Sequence, residues 1–209
     1  MDTLFLFRNA LFLLLAATLC LNPARAGDGW LAQAQTLEKA RDRAGLLRLG
    51  QAWSQTEPDN PLAWFVQGRA YTLLDQPILA LAAYRRNLAL DPRDSYAANN
   101  VGNLHILLGQ PRDALLAYRQ AVRADPAYLL AWRNLGQSYY LLRGPAGVRQ
   151  ALLKLHETDP VLAQSWGALA ATYALRANRQ VEQQAIRILA GLSADQRERM
   201  FAILLADIP

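Results

Sequence analysis

The chain has 209 residues, of which 53% are apolar, with 12 Gly, 10 Pro, a single Cys and a formal net charge of +5. That length suits one domain or one short repeat array. The lone cysteine excludes a disulfide scaffold, the glycine content excludes a collagen-like chain, and a charged fraction of 19% excludes a charge-dominated disordered tail.

Residues 1–26 read as an export signal. Arg8 supplies the basic end, Ala10 to Leu21 an apolar core, and Ala24-Arg25-Ala26 the small-x-small site that a signal peptidase accepts. Cleavage after Ala26 is expected, leaving Gly27 as the first residue of a periplasmic or secreted protein. Two alternatives stay open. An uncleaved membrane anchor needs roughly 20 apolar residues, more than this run supplies. A lipoprotein acylated on Cys20 is the other, although the bulky Leu19 stands where such signals carry a small residue. Once the signal is removed the chain has no cysteine, so disulfides cannot form and stability rests on packing.

Beyond the signal the chain repeats itself. Pro58, Pro92, Pro126 and Pro160 are evenly spaced, and Trp30, Trp64, Trp132 and Trp166 keep the same interval, with Ala98 in the vacant place. Small residues follow in register (Ala34, Gly68, Gly102, Gly136, Ala170), then a mostly aromatic column (Leu37, Tyr71, His105, Tyr139, Tyr173). Trp64, Gly68 and Tyr71 stand at i, i+4 and i+7, one face of an α-helix. A second helix is expected to start at Pro77, Pro111 and Pro145, where a missing N–H costs nothing. Its columns are Leu46, Ala80, Ala114 and Val148, then Gly50, Tyr84, Tyr118, Leu152 and Ile186. The repeat-ending prolines should stop these helices, because the residue before a proline avoids the α region. This divides the chain into five units, 27–60, 61–94, 95–128, 129–162 and 163–196. Ser193 and Gln196 then form a capping-box pattern ahead of Met200, Phe201, Leu204 and Leu205 on one face. That helix is expected to cap the last unit, residues 197–209 being its C-terminal end.

These columns resemble the tetratricopeptide repeat (TPR), a 34-residue helix–turn–helix. The resemblance is fullest in the middle three units. The outer two depart from it, with Gly50 in the aromatic column, Glu182 in the small-residue column and Ala194 in place of the proline. It implies an all-α fold, an α-solenoid in which each helix pair buries its apolar face against its neighbours.

Chemistry-bearing motifs are sparse. His105 and His156 lie in different units and lack partners at metal-ligand spacing, and no phosphate loop, nucleophile elbow or zinc signature occurs. Asp59, Asp91, Asp125 and Asp159 recur with the repeat turns, which points to turn geometry rather than catalytic pairing. No cofactor is expected and an enzyme is not the leading reading. The basic residues read as a solvated surface, their longest run being Arg85-Arg86, so a nucleic-acid partner is not expected.

What remains is a binding surface. The TPR resemblance implies a concave groove lined by the first helices, at positions one, five and eight after the Trp column. Phe65, Arg69, Asn99, Asn103, Arg133, Gln137 and Tyr140 are the candidate peptide- or partner-binding residues. Asn99 and Asn103 would meet a peptide backbone, and Arg69 and Arg133 would grip a carboxylate by paired N–H bonds. Some TPR domains clamp a C-terminal carboxylate with asparagines and basic residues. Asn103 and Asn134 fit that pattern, whereas Asn99, Gln164 and Ala168 replace the basic ones. The expectation is an exported adaptor or scaffold that binds a protein or peptide partner during cell-envelope assembly or secretion. An accessory subunit of an export or appendage-assembly machine is the alternative, and an enzyme with an unrecognised site is the alternative from another class. Peripheral association with a membrane is a further expectation.

Overall fold

The computed structural model describes residues 23–175, 179–206 and 208, without the side chains of 23–28 and 171–175. The apolar core of the expected signal and Cys20 lie outside the described residues, as does the Tyr173 side chain. Among the described residues ten helices follow in order: α1 (Pro23–Lys39), α2 (Arg43–Thr56), α3 (Pro61–Leu73), α4 (Pro77–Leu90), α5 (Ser95–Leu107), α6 (Pro111–Ala124), α7 (Leu129–Thr158), α8 (Pro160–Leu175), α9 (Arg179–Ala190) and α10 (Ala194–Leu205). Most pack on their sequence neighbours, which makes an all-α solenoid. No helix among the described residues is long and apolar enough to cross a membrane.

Local chemistry starts the helices where the sequence signals them. Asp42, Asn60 and Asp94 accept backbone N–H bonds from Gly45, Leu62 and Ala97 at 2.7, 3.0 and 2.9 Å. Pro61, Pro77 and Pro111 occupy the first turn, where no N–H is needed. Between the helices of a pair the chain reverses through a left-handed residue, at Arg41, Asp75 and Gly109, again at the repeat interval, with φ of 57°, 58° and 71°. The fourth turn departs from this register. The left-handed residue is Gly144 (φ 61°, ψ −177°) rather than Arg143, one place later. Gln76 and Gln110 precede proline in the same register with φ of −114°, so the glycine, which alone takes this combination at little cost, is what moves the break and divides α7 in two.

The small-residue column is set by close approach. A Cβ on Gly68 would lie 2.9 Å from the Tyr84 ring, and one on Gly102 would lie 2.4 Å from the Tyr118 ring. In the fourth unit, where Leu152 replaces the tyrosine, Gly136 is met by Leu169 of α8 and Leu152 instead faces Gly167. Trp53, Trp132, Trp166, Tyr84 and Tyr139 are among the fully buried side chains. Trp53 stands outside the tryptophan column but stacks on Trp30 at 6.0 Å.

Pro160 both follows the end of α7 and begins α8, where the sequence pattern implies only a stop. Leu162 occupies the place held by the capping Asn60 and Asp94 in earlier units, and leucine cannot cap. Tyr128, in the same place, makes no cap bond either and α7 still begins right after it, whereas α8 starts from Asp159, whose Oδ1 accepts the N–H groups of Val161 and Leu162, each at 3.0 Å. This changes the tryptophan contact. Trp64 and Trp132 donate their indole N–H to the carbonyls of Pro58 and Pro126 at 2.8 and 2.9 Å. In the last unit that carbonyl belongs to the first turn of α8, and the buried Trp166 Nε1 has no hydrogen-bond partner among the described residues.

Helix α10 forms the expected capping box between Ser193 and Gln196, and buries Met200, Phe201 and Leu204. Its position differs from a helix stacked beyond α9. It lies against α7, with the Phe201 ring 6.2 Å from that of Trp132, and Glu198 pairs with Arg123 of α6.

Candidate functional site

The first helices α3, α5 and the first half of α7 place the candidate residues along one side of the array. Phe65 is half-buried, its ring edge-on to Tyr84 at 5.5 Å. Burial raises the Tyr84 hydroxyl pKa far above the usual phenol value. Gln137 is exposed and Tyr140 half-buried.

The polar members differ from the expected arrangement. Arg69 Nε donates to Glu38 Oε1 of α1 at 2.9 Å. Arg133 donates through Nε and an Nη to both Glu182 oxygens of α9, at 2.7 and 3.2 Å. Both guanidinium groups thus already face a carboxylate of the same chain. Glu182, out of pattern in its small-residue column, is the counter-ion its sequence position did not reveal. Asn99 is 1% exposed and accepts from Asn134 Nδ2 at 2.9 Å, so it ties α5 to α7 and does not meet solvent. Asn103 is exposed, and its Oδ1 accepts from Tyr118 Oη at 2.8 Å and from Asn134 at 3.3 Å. The amides of Asn103 and Gln137 donate to no described residue, and Arg69 engages Glu38 through Nε alone.

Exposed apolar side chains flank this polar floor. Leu62, Tyr96 and Leu130 form one row and Leu73, Leu107 and Leu141 the other, each spaced at the period of the repeat. Leu62, Phe65, Arg69 and Leu73 stand at i, i+3, i+7 and i+11, so rows and floor share one helix face. Neither row follows from the Trp column, although each has its own period in the sequence. Tyr96, Leu107 and Leu141 are 58%, 62% and 58% exposed.

Among the described residues no group of three or more His, Cys, Asp or Glu is placed to hold a metal ion. His105 is buried with Nδ1 2.7 Å from Gln110 Oε1, joining the end of α5 to the start of α6. Asp91, Asp125 and Asp159 accept backbone N–H bonds in the repeat turns.

No family model matches the chain, and no curated protein matches its sequence. Solved structures do match. YrrB, a TPR protein with a peptide-binding site, superimposes with a TM-score of 0.52 at 18% identity, covering 85% of this chain and 89% of YrrB. The fold is that of a TPR array. PilF of Pseudomonas aeruginosa gives a TM-score of 0.56 at 16% identity, with 88% of this chain and 84% of PilF covered. An O-GlcNAc transferase of Thermobaculum terrenum gives 0.54 at 25% identity over 64% of this chain. This TPR array corresponds to only 26% of the length of that transferase.

Proposed function

We propose that this TPR array is a non-catalytic adaptor, exported to the cell envelope or beyond, that holds a segment of a partner protein on its first-helix face. The observation that carries the reading is the pairing of a floor whose charges are internally satisfied with two rows of exposed apolar side chains. A ligand carboxylate gains little at Arg69 or Arg133, because each guanidinium already holds a carboxylate of the chain and one ion pair would only replace another. Apolar side chains set between the rows gain from burial, and the Asn103 and Gln137 amides can bond the ligand backbone. Peptide binding by YrrB supports the same use of the fold. The signal-like pattern of residues 1–26 supports the address, and an intact mass beginning at Gly27 is the expected result.

The test is a partner recovered by crosslinking from the native compartment, its affinity then measured against variants. Leu107→Ser with Leu141→Ser should weaken binding by roughly a hundredfold or more, since each buried leucine contributes about 1.5–3 kcal/mol. Melting should barely change, because both side chains are exposed before binding. Wild-type affinity in this folded double variant places the site elsewhere.

A further inference from the structure

The basic residues are dispersed along the sequence but not around the molecule. The second helices, α2, α4, α6, the part of α7 after Gly144, and α9, hold 11 of the 22 Lys and Arg but three of the 17 Asp and Glu. One of those acids, Glu182, is already paired with Arg133. Within each second helix, residues at i, i+4, i+7 and i+11 form a solvent-facing stripe. In α4 this is Ile78, Ala82, Arg85 and Ala89, all exposed. In α6 it is Arg112, Leu116, Arg119 and Arg123, of which Arg123 is paired with Glu198. The same stripe recurs in each unit and lies on one side of a stacked array, so Arg48 of α2, Arg85 and Arg112, at different places along it, share a surface. These three are exposed and form no ion pair with a described residue. Large aliphatic side chains stand among them, with Ile78 63%, Leu116 43% and Leu153 62% exposed.

We propose that this outer face docks on an anionic lipid bilayer. Guanidinium groups meet lipid phosphates, and isolated aliphatic side chains between them enter the headgroup region. A nucleic acid would use the same cations but favours stacking aromatics and polar donors, and these stripes present aliphatics instead. The outer face is separate from the first-helix face, so this inference does not depend on the proposed adaptor role.

The experiment is vesicle co-sedimentation of the full chain, with phosphatidylcholine alone and with phosphatidylcholine mixed with phosphatidylglycerol, at low and high salt. Variants retain residues 1–26, so any insertion of that apolar segment is common to all and cancels in the comparison. Wild type should partition more strongly to the anionic vesicles and lose that excess at high salt. Arg48→Gln, Arg85→Gln and Arg112→Gln together should lower anionic partitioning about a hundredfold, at roughly fivefold per cation, and leave the neutral vesicles unaffected. The same three positions changed to Lys should keep binding, and melting curves should match throughout. Ile78→Ser with Leu116→Ser should weaken binding without altering its salt dependence. Equal wild-type partitioning on the two vesicle types, or wild-type behaviour of the folded Gln variant, overturns the proposal. Retention by polyuridylate RNA but not by anionic vesicles also overturns it and reassigns the face to nucleic acid.

Discussion

Glu57 occupies the place that Asp91 holds in the next unit, at the head of the column of turn aspartates, yet its longer side chain does different work. Its Oε2 accepts the indole N–H of Trp53 at 3.0 Å and the Asn60 amide at 2.7 Å, joining the core tryptophan of α2 to the cap of α3. The Trp53 bond first, and the Asn60 bond second, hold its carboxyl below the usual value of 4.5, against the opposing pull of burial. A depressed folded-state pKa contributes stability that is complete above the unfolded value and is lost as pH falls through the folded one. Glu57→Gln should therefore flatten the acid limb of the stability curve, read as melting temperature from neutral to acid pH, and an unchanged limb refutes this role. The turn role of the column was legible because aspartate at a helix end has local chemistry. The burial of Asn99 was not, because it depends on how far α7 is offset along α5, which a single sequence does not state.

The elements show the same division between local and lateral information. Prolines, capping residues and the repeat period announce the starts of α3 through α6, since each signal acts within a few residues. At Pro160 a stop for α7 and a start for α8 coincide, and Asp159, which accepts two N–H groups of the following turn, caps the start. Gly144 is the other departure, and it is testable. Its φ of 61° with ψ of −177° is open to glycine and strained for any side chain, so Gly144→Ala should cost about 1–3 kcal/mol even though the added Cβ meets no atom within 4 Å. At Asp75, where a non-glycine residue is already left-handed, Asp75→Gly should stabilise by about 1 kcal/mol. Equal melting of Gly144→Ala and wild type would show that the fourth turn relaxes without cost.

For the whole molecule, periodicity revealed the solenoid because every unit restates it, and it falls silent where the repeats end. The apolar face of α10 was readable in Met200, Phe201, Leu204 and Leu205, but its docking site was not, since no repeat fixes the direction taken after α9. The structure turns it back on the fourth unit, where Phe201 is 2% exposed against the fully buried Trp132. This makes α10 a clasp across α6 and α7. Phe201→Ala should then cost about 3–5 kcal/mol, the loss typical of a buried phenylalanine and the cavity it leaves. Glu198→Gln removes an ion pair whose side chains are 41% and 47% exposed, so it should cost no more than about 1 kcal/mol. Deleting residues 195–209 should uncover Trp132 and Leu162, lower the melting temperature by more than Phe201→Ala, and promote association through the exposed apolar surface. Calorimetry and light scattering on the three variants give the ranking. A truncated chain that melts and scatters like the wild type would show that the clasp contributes nothing and that the preceding helix pairs hold themselves.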